Sequence, residues 1–314
     1  MVRGLAAWLD RFVRTSGPGL MSRGRARFAA GGLGALAAAA AVTLMAPAPS
    51  FAQAAQAQAA PAVAVSGGAL ANAATGTLLW SKDLGVRRPM ASITKVMTAL
   101  VVLRAGRLSE KIRVTPAAVA YARRNDASSA GLVAGDVLTA QQLLEGMLLP
   151  SGADAAYLLA TAYGPGPAAF IGRMNALAAS LGMHATHFSD FAGLPVPTEN
   201  STYSTPADLI RLGERVMARP VFRQIVAQRS YALPAGDGHR RYLWVQTDKL
   251  VGSYAGATGI KTGYTHAAGT CLLFEATRGK RTLIGVVLHA SVPYTPPVAV
   301  SAAERLLNWG FVQP

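Results

Sequence analysis

The chain has 314 residues, of which 51% are hydrophobic and 14% charged, so it can bury a large core and global disorder is excluded. Its formal net charge is +15, yet the basic residues are spread along the chain and no nucleic-acid motif accompanies them. One cysteine, Cys271, excludes an internal disulfide and a cysteine-type zinc site; in the apolar run Thr270–Phe274 it reads as a small core residue.

Residues 1–54 read as a signal segment. Arg23, Arg25 and Arg27 precede an uncharged run from Phe28 to Ala46, and small residues follow at alternate positions up to Ala54, where cleavage is expected. An uncleaved anchor is the other reading, and only that one would tie the chain to a membrane. Without this segment, 24 basic and 14 acidic residues leave +10, a charge that suits an anionic neighbourhood such as a wall polymer or is simply a solubility charge. Residues 55–66, mostly Ala, Gln and Pro, read as a tether, and residues 67–314 as one domain.

From Gly67 onward the elements follow in order. Ala69–Ala71 and Thr77–Trp80 form a hairpin around Gly76. Ser92–Leu103 is a helix with Ile93, Val96, Met97, Leu100 and Val101 on one face. Thr139 and Gln142 form a capping box for a helix through Leu148, and Pro150–Gly152 separates it from another at Ala153–Tyr163. Further helices run over 168–181 and from Pro206 to about Ala218, the latter capped by Thr205. The last third turns to strands at 241–245, 257–262, 270–276 and 282–290, before a closing helix at 301–309. Strands from both chain ends with helices between them predict an α+β fold: an antiparallel sheet built from the two ends, flanked by helices, with an inserted helical block.

Three short strings carry chemistry. In Ser92-Ile93-Thr94-Lys95 the serine and lysine share a helix face, so a lysine depressed in pKa can take the hydroxyl proton. In Lys261-Thr262-Gly263, on a strand before a turn, the lysine offers charge, the threonine a donor for a carboxylate, and the glycine lets a substrate backbone approach. Ser151 stands at a break between two helices. The plainer readings are an N-cap for each serine and an ordinary strand end for the lysine.

The order Ser-x-x-Lys, Ser-Gly-x, Lys-Thr-Gly resembles the penicillin-binding D-alanyl-D-alanine carboxypeptidases. Met90–Ala99, Phe188–Leu194, Tyr203–Leu209 and Gly259–Thr265 also look like segments of that family, and the likeness covers about residues 67–311. It implies a β-lactamase/DD-peptidase-like fold and an exported enzyme, periplasmic or in the cell wall. Ser92 would be the nucleophile, Lys95 its base and Ser151 a proton relay. Lys261, Thr262, Gly263 and Tyr264 would bind substrate, with the amides of Ser92 and Tyr264 as oxyanion hole. The implied partners are peptidoglycan stem peptides ending in D-Ala-D-Ala, with β-lactams as covalent inhibitors. The chemistry needs no cofactor and no metal.

Some features depart from the family's pattern. Ala153 replaces the asparagine usual two places after the second-motif serine. His289, Ala290 and Ser291 follow the last strand where relatives can carry an arginine. The extra C-terminal β-domain and amphipathic anchor have no counterpart before Pro314. Two other functions share parts of the pattern. A class A β-lactamase needs a deacylating glutamate, for which Glu199 is the only loop candidate and has unmatched neighbours. A wall-binding or penicillin-sensing protein with weak turnover is what Ala153 favours.

Overall fold

The computed structural model describes residues 59–314; the signal segment expected over 1–54 and the first residues of the tether lie outside the described residues. The opening hairpin is β1 (Gly67–Asn72) and β2 (Leu78–Lys82). After β3 (Arg88–Pro89), one 3-10 turn at Ala91–Ile93 runs into α1 (Thr94–Ala105). The helical block comprises β4 (Lys111–Arg113), α2 (Pro116–Arg124), β5 (Val137–Thr139), α3 (Ala140–Leu148), α4 (Ala153–Tyr163) and α5 (Pro167–Ser180). The chain returns through β6 (Tyr203–Ser204), α6 (Pro206–Met217) and α7 (Pro220–Val226). A small hairpin, β7 (Ser230–Leu233) and β8 (Tyr242–Val245), precedes the long strands β9 (Ala257–Thr265), β10 (Gly269–Arg278) and β11 (Arg281–Leu288), and α8 (Pro296–Val312) closes the chain.

The main sheet is antiparallel with strand order β2-β1-β11-β10-β9, so the first strand lies beside the last and both chain ends build it, as expected. Alternation sorts side chains between two layers. Leu70, Leu272, Phe274, Leu283 and Val287 face α8 through Ala303, Leu306 and Leu307. Ala69, Ala71, Leu273, Ile284 and Val286 belong to the larger core shared with the helices of the other side. Because β10 and β11 are covered on both faces, their centres read as apolar runs rather than alternating patterns, Cys271–Phe274 and Leu283–Leu288. Packing reaches upstream of Gly67: Val65 is buried against the α8 layer, and the Ser66 amide donates to the Leu288 carbonyl at 3.1 Å.

The expected caps form. Gln142 N donates to Thr139 Oγ1 at 3.2 Å and Thr139 N to Gln142 Oε1 at 2.8 Å, while Asp208 N donates to Thr205 Oγ1 at 3.2 Å. The structure extends two elements. The closing helix begins at Pro296 rather than Ser301, because Pro296 and Pro297 occupy a first turn that needs no amide donors. Strand β9 continues to Thr265, so Lys261-Thr262-Gly263 lies within the strand, with Gly263 opposite Cys271. Cys271 is fully buried, and burial pushes its thiol up to about 12.

Candidate active site

The site lies where the free edge of β9 meets the turn that starts α1 and the break between α3 and α4. A cavity of about 410 Å³ opens there, lined by Ser92, Lys95, Ser151, Thr262, Gly263 and Tyr264 among others. Of the seven residues singled out in the sequence, only Lys261 is not in the lining; it is fully buried one residue before Thr262.

The plainer readings of both serines fail on geometry. Neither the 3-10 turn nor α1 has a side-chain cap, and Lys95 Nζ lies 2.8 Å from Ser92 Oγ. Lys95 also donates to the Ala192 carbonyl at 2.9 Å. Burial pushes its amine from 10.5 down to about 8, while the carboxylates of Asp190 and Asp154 pull the other way. Ser151 does not cap α4 either; the cap position is Gly152, and the buried Ser151 Oγ has no hydrogen-bond partner. A buried hydroxyl left unpaired costs about 1–3 kcal/mol, which a group reaching into the cavity would recover. Ala91 and Ser151 both hold positive φ, 49° and 68°, conformations that cost a side-chain-bearing residue about 1–3 kcal/mol.

Two glycines let the backbones converge. A Cβ on Gly263 would fall 2.6 Å from the Met90 carbonyl and 3.1 Å from the Ser92 amide, so β9 runs directly against the Ser92 turn. Gly193 has φ +80, and a Cβ there would overlap the Ala91 carbonyl at 1.9 Å. The register of β9 aims a donor at the same place. Thr270, opposite Tyr264, uses its amide on Ser291 O and its carbonyl on Ala290 N, both at 2.9 Å. Tyr264 is therefore in a non-hydrogen-bonded pair, and its N–H points off the free edge of β9. The Ser92 amide, in the first turn of its helix, has no intrahelical acceptor.

Lys261 Nζ donates to the Thr262 carbonyl at 3.1 Å, and its amine is held well below 10.5 by burial and by nearby Lys95, with Asp248 opposing. Thr262 Oγ1 lies 2.8 Å from Thr247 Oγ1, and the Tyr264 ring packs on Tyr294 with centroids 5.0 Å apart. Several surrounding residues went unread in the sequence. Thr247 and Tyr294 carry no motif, and the loop 125–128 that forms one wall follows a helix the sequence reading omitted. Asp190 lay inside a segment quoted for its likeness, and its signal was an acid among aromatics before a glycine. Glu199 is exposed and does not line the cavity; the one acid in the lining is Asp126. Ala153 is fully buried outside the lining.

An antiparallel sheet covered by helices on both faces, with this motif order at its edge, defines the class of the serine DD-peptidases. Within it, the chain belongs to the D-alanyl-D-alanine carboxypeptidase family, whose model matches residues 53–292. It is 40% identical over 257 residues to a D-alanyl-D-alanine carboxypeptidase of Streptomyces sp. (strain K15), covering 78% of this chain and 86% of that one. It is 38% identical over 242 residues to DacB2 of Mycobacterium tuberculosis, covering 77% and 80%. The crystal structure of the Streptomyces K15 DD-transpeptidase superposes with a TM-score of 0.76 at 40% identity, over 82% of this chain and all of that one.

Proposed function

We propose that the chain is an exported serine D-alanyl-D-alanine carboxypeptidase acting on peptidoglycan stem peptides, with the catalytic domain at residues 67–314 behind a cleaved signal at 1–54. The observation that carries this reading is the 2.8 Å Ser92–Lys95 pair in a cavity that also holds the unpaired Ser151 hydroxyl. Ser92 Oγ attacks the carbonyl of the penultimate D-alanine as neutral Lys95 takes its proton. The oxyanion rests on the Ser92 and Tyr264 amides, donors worth about 3 kcal/mol each in such sites. Ser151 passes a proton to the leaving amine, the C–N bond breaks, and D-alanine departs. Thr262 holds the terminal carboxylate, Lys261 supports the charge pattern from behind it, and Gly263 lets the peptide lie along β9. Water then attacks the ester with Lys95 again as base, releasing the shortened peptide and Ser92. Export is supported by membership in a cell-wall peptidase family and by the basic-then-apolar start of the chain. Among the described residues no helix is long and apolar enough to cross a membrane.

A β-lactamase reading loses its support because among the described residues no glutamate lines the cavity. A second reading concerns the acceptor: the relatives from Streptomyces K15 carry both names, carboxypeptidase and DD-transpeptidase, so an amine could replace water in the last step. The test is intact mass after brief exposure to benzylpenicillin. A persistent single adduct on wild type, absent from Ser92→Ala, is expected; drug consumption without an adduct would instead indicate a β-lactamase. Assaying a D-Ala-D-Ala peptide with and without a glycine acceptor then separates hydrolysis from transfer.

A further inference from the structure

Asp190 has no part in the chemistry above, yet the support of Lys95 runs through it. It is 4% exposed, and both carboxylate oxygens are occupied. Oδ1 accepts from the amides of Ala192 at 2.7 Å and Leu194 at 2.9 Å, and Oδ2 accepts from the Tyr121 hydroxyl. The loop so folded presents two carbonyls to α1: Ala192 O accepts from Lys95 Nζ at 2.9 Å, and Phe191 O from Thr98 Oγ1 at 2.6 Å. Tyr121 extends the network to the opposite wall, because its carbonyl accepts from Nδ2 of Asn125, a cavity residue, at 2.8 Å.

We propose that Asp190 is the positioning residue of Lys95: it folds the 190–194 loop so that the Ala192 carbonyl meets the amine, and it keeps a buried carboxylate behind that contact. This rests on the reading of Lys95 as the base for Ser92. Two carboxylates act on Lys95 from the packed elements, Asp190 from the loop and Asp154 from α4, while Lys95 itself lowers Lys261 on β9. Asp190 exerts the larger acidic pull, and Asp154 is spent on Ser129 Oγ at 2.6 Å and on the amides of Ala130 and Leu132 at 2.8 and 3.1 Å. Lys261 is itself held well below the usual lysine range by burial and by Lys95, with Asp248 opposing. Burial and the Asp190 carboxylate raise the Tyr121 phenol, so it stays protonated and remains a donor.

The experiment is the second-order rate of acylation by benzylpenicillin between pH 6 and 10. Wild type rises with pH around a midpoint near 8, since only the neutral amine is a base. Asp190→Asn keeps an acceptor for both loop amides and removes the charge, so the midpoint falls by about one pH unit while the high-pH plateau stays within about threefold. Asp190→Ala removes the acceptor as well, and the plateau falls about 100-fold. A normal midpoint in a folded Asp190→Asn protein overturns the proposal. Should that variant fail to fold, Tyr121→Phe carries the test. It keeps the ring packed on Tyr157 and Phe191 and removes the hydroxyl, so a plateau loss of at least about threefold is expected, and an unchanged profile overturns the proposal. A flat wild-type profile, or an adduct on Ser92→Ala, would instead sink the base assignment itself.

Discussion

Lys95 and Lys261 are both buried, 1% and 0% exposed, and close enough to interact, but the protein holds them differently. Lys95 has two oxygen partners, Ser92 Oγ and Ala192 O, and two acids nearby, so it comes down only to about 8. Lys261 has one hydrogen-bond partner, the carbonyl of the next residue, and a positive neighbour in Lys95, with only Asp248 opposing. The difference shows how partners set how far burial moves a lysine: one comes down only to about 8, and the other is held well below the ordinary 10.5.

The largest expected effect comes from removing the poised lysine. Lys95→Met should lower acylation by benzylpenicillin at least about 1,000-fold, measured as adduct formation by mass spectrometry. The same variant tests the electrostatics. The folded-state value near 8 lies below the ordinary 10.5, so between these values the unfolded chain binds more protons and wild-type stability rises with pH. Chemical denaturation from pH 8 to 10.5 should show that rise in wild type and a flatter profile in Lys95→Met. Equal slopes would mean that Lys95 is not depressed.

Lys261→Met should weaken acylation about 100-fold, chiefly through binding, and an unchanged midpoint near 8 in that variant would show that Lys261 is uncharged in the empty site. If Lys261 were charged in the empty site, its removal would raise the midpoint. The depressed amine carries a second consequence: a substrate carboxylate should favour the protonated form of Lys261. Calorimetric binding of a D-Ala-D-Ala peptide to Ser92→Ala at pH 7.5, in buffers of different ionisation enthalpy, should report proton uptake. No buffer dependence would remove the contrast between the two lysines.

How much of this was legible varies with distance along the chain. The sheet built from both ends, the capping box at Thr139 and the shared face of Ser92 and Lys95 follow from local periodicity and spacing, and the structure carries them. Helix α2 was passed over although Thr115 and Pro116 mark its start, because it is short and the residues it buries are only the alanines Ala118 and Ala122. Strand β9 was read as stopping before Gly263, since glycine looks like a strand end until the Ser92 turn that needs it is in place. The partners of the two lysines were out of reach, because Ala192 and Asp248 are brought in by tertiary packing and no periodicity encodes them.

Asp248 tests the weaker half of the comparison. Burial lifts its carboxyl from 3.8 to about 6, and Oδ2 has no partner. A folded value above the unfolded one gives stability that is full below pH 3.8 and lost as pH rises through 6. Asp248→Asn should therefore remove that slope and raise the melting temperature at pH 7.5 relative to pH 4, with a ceiling of about 3 kcal/mol. A variant that melts lower at pH 7.5 would show that the carboxylate is charged and paired with Lys261.

The smallest expected effect is at Ala153. Its side chain is fully buried behind the cavity wall, and its amide donates to the Ser128 carbonyl at 2.8 Å, tying α4 to the loop that forms that wall. Ala153→Asn keeps this bond but must find room for an amide among packed atoms, at a cost of about 1–3 kcal/mol unless the side chain swings into the cavity. There it would meet Ser151 Oγ, which lacks a partner. A change of up to about tenfold in acylation, with a melting temperature within a few degrees of wild type, would mean that the amide reached the cavity and paired that hydroxyl. Lower stability with unchanged kinetics would place position 153 in the core alone, leaving the serine's partner to come from the substrate.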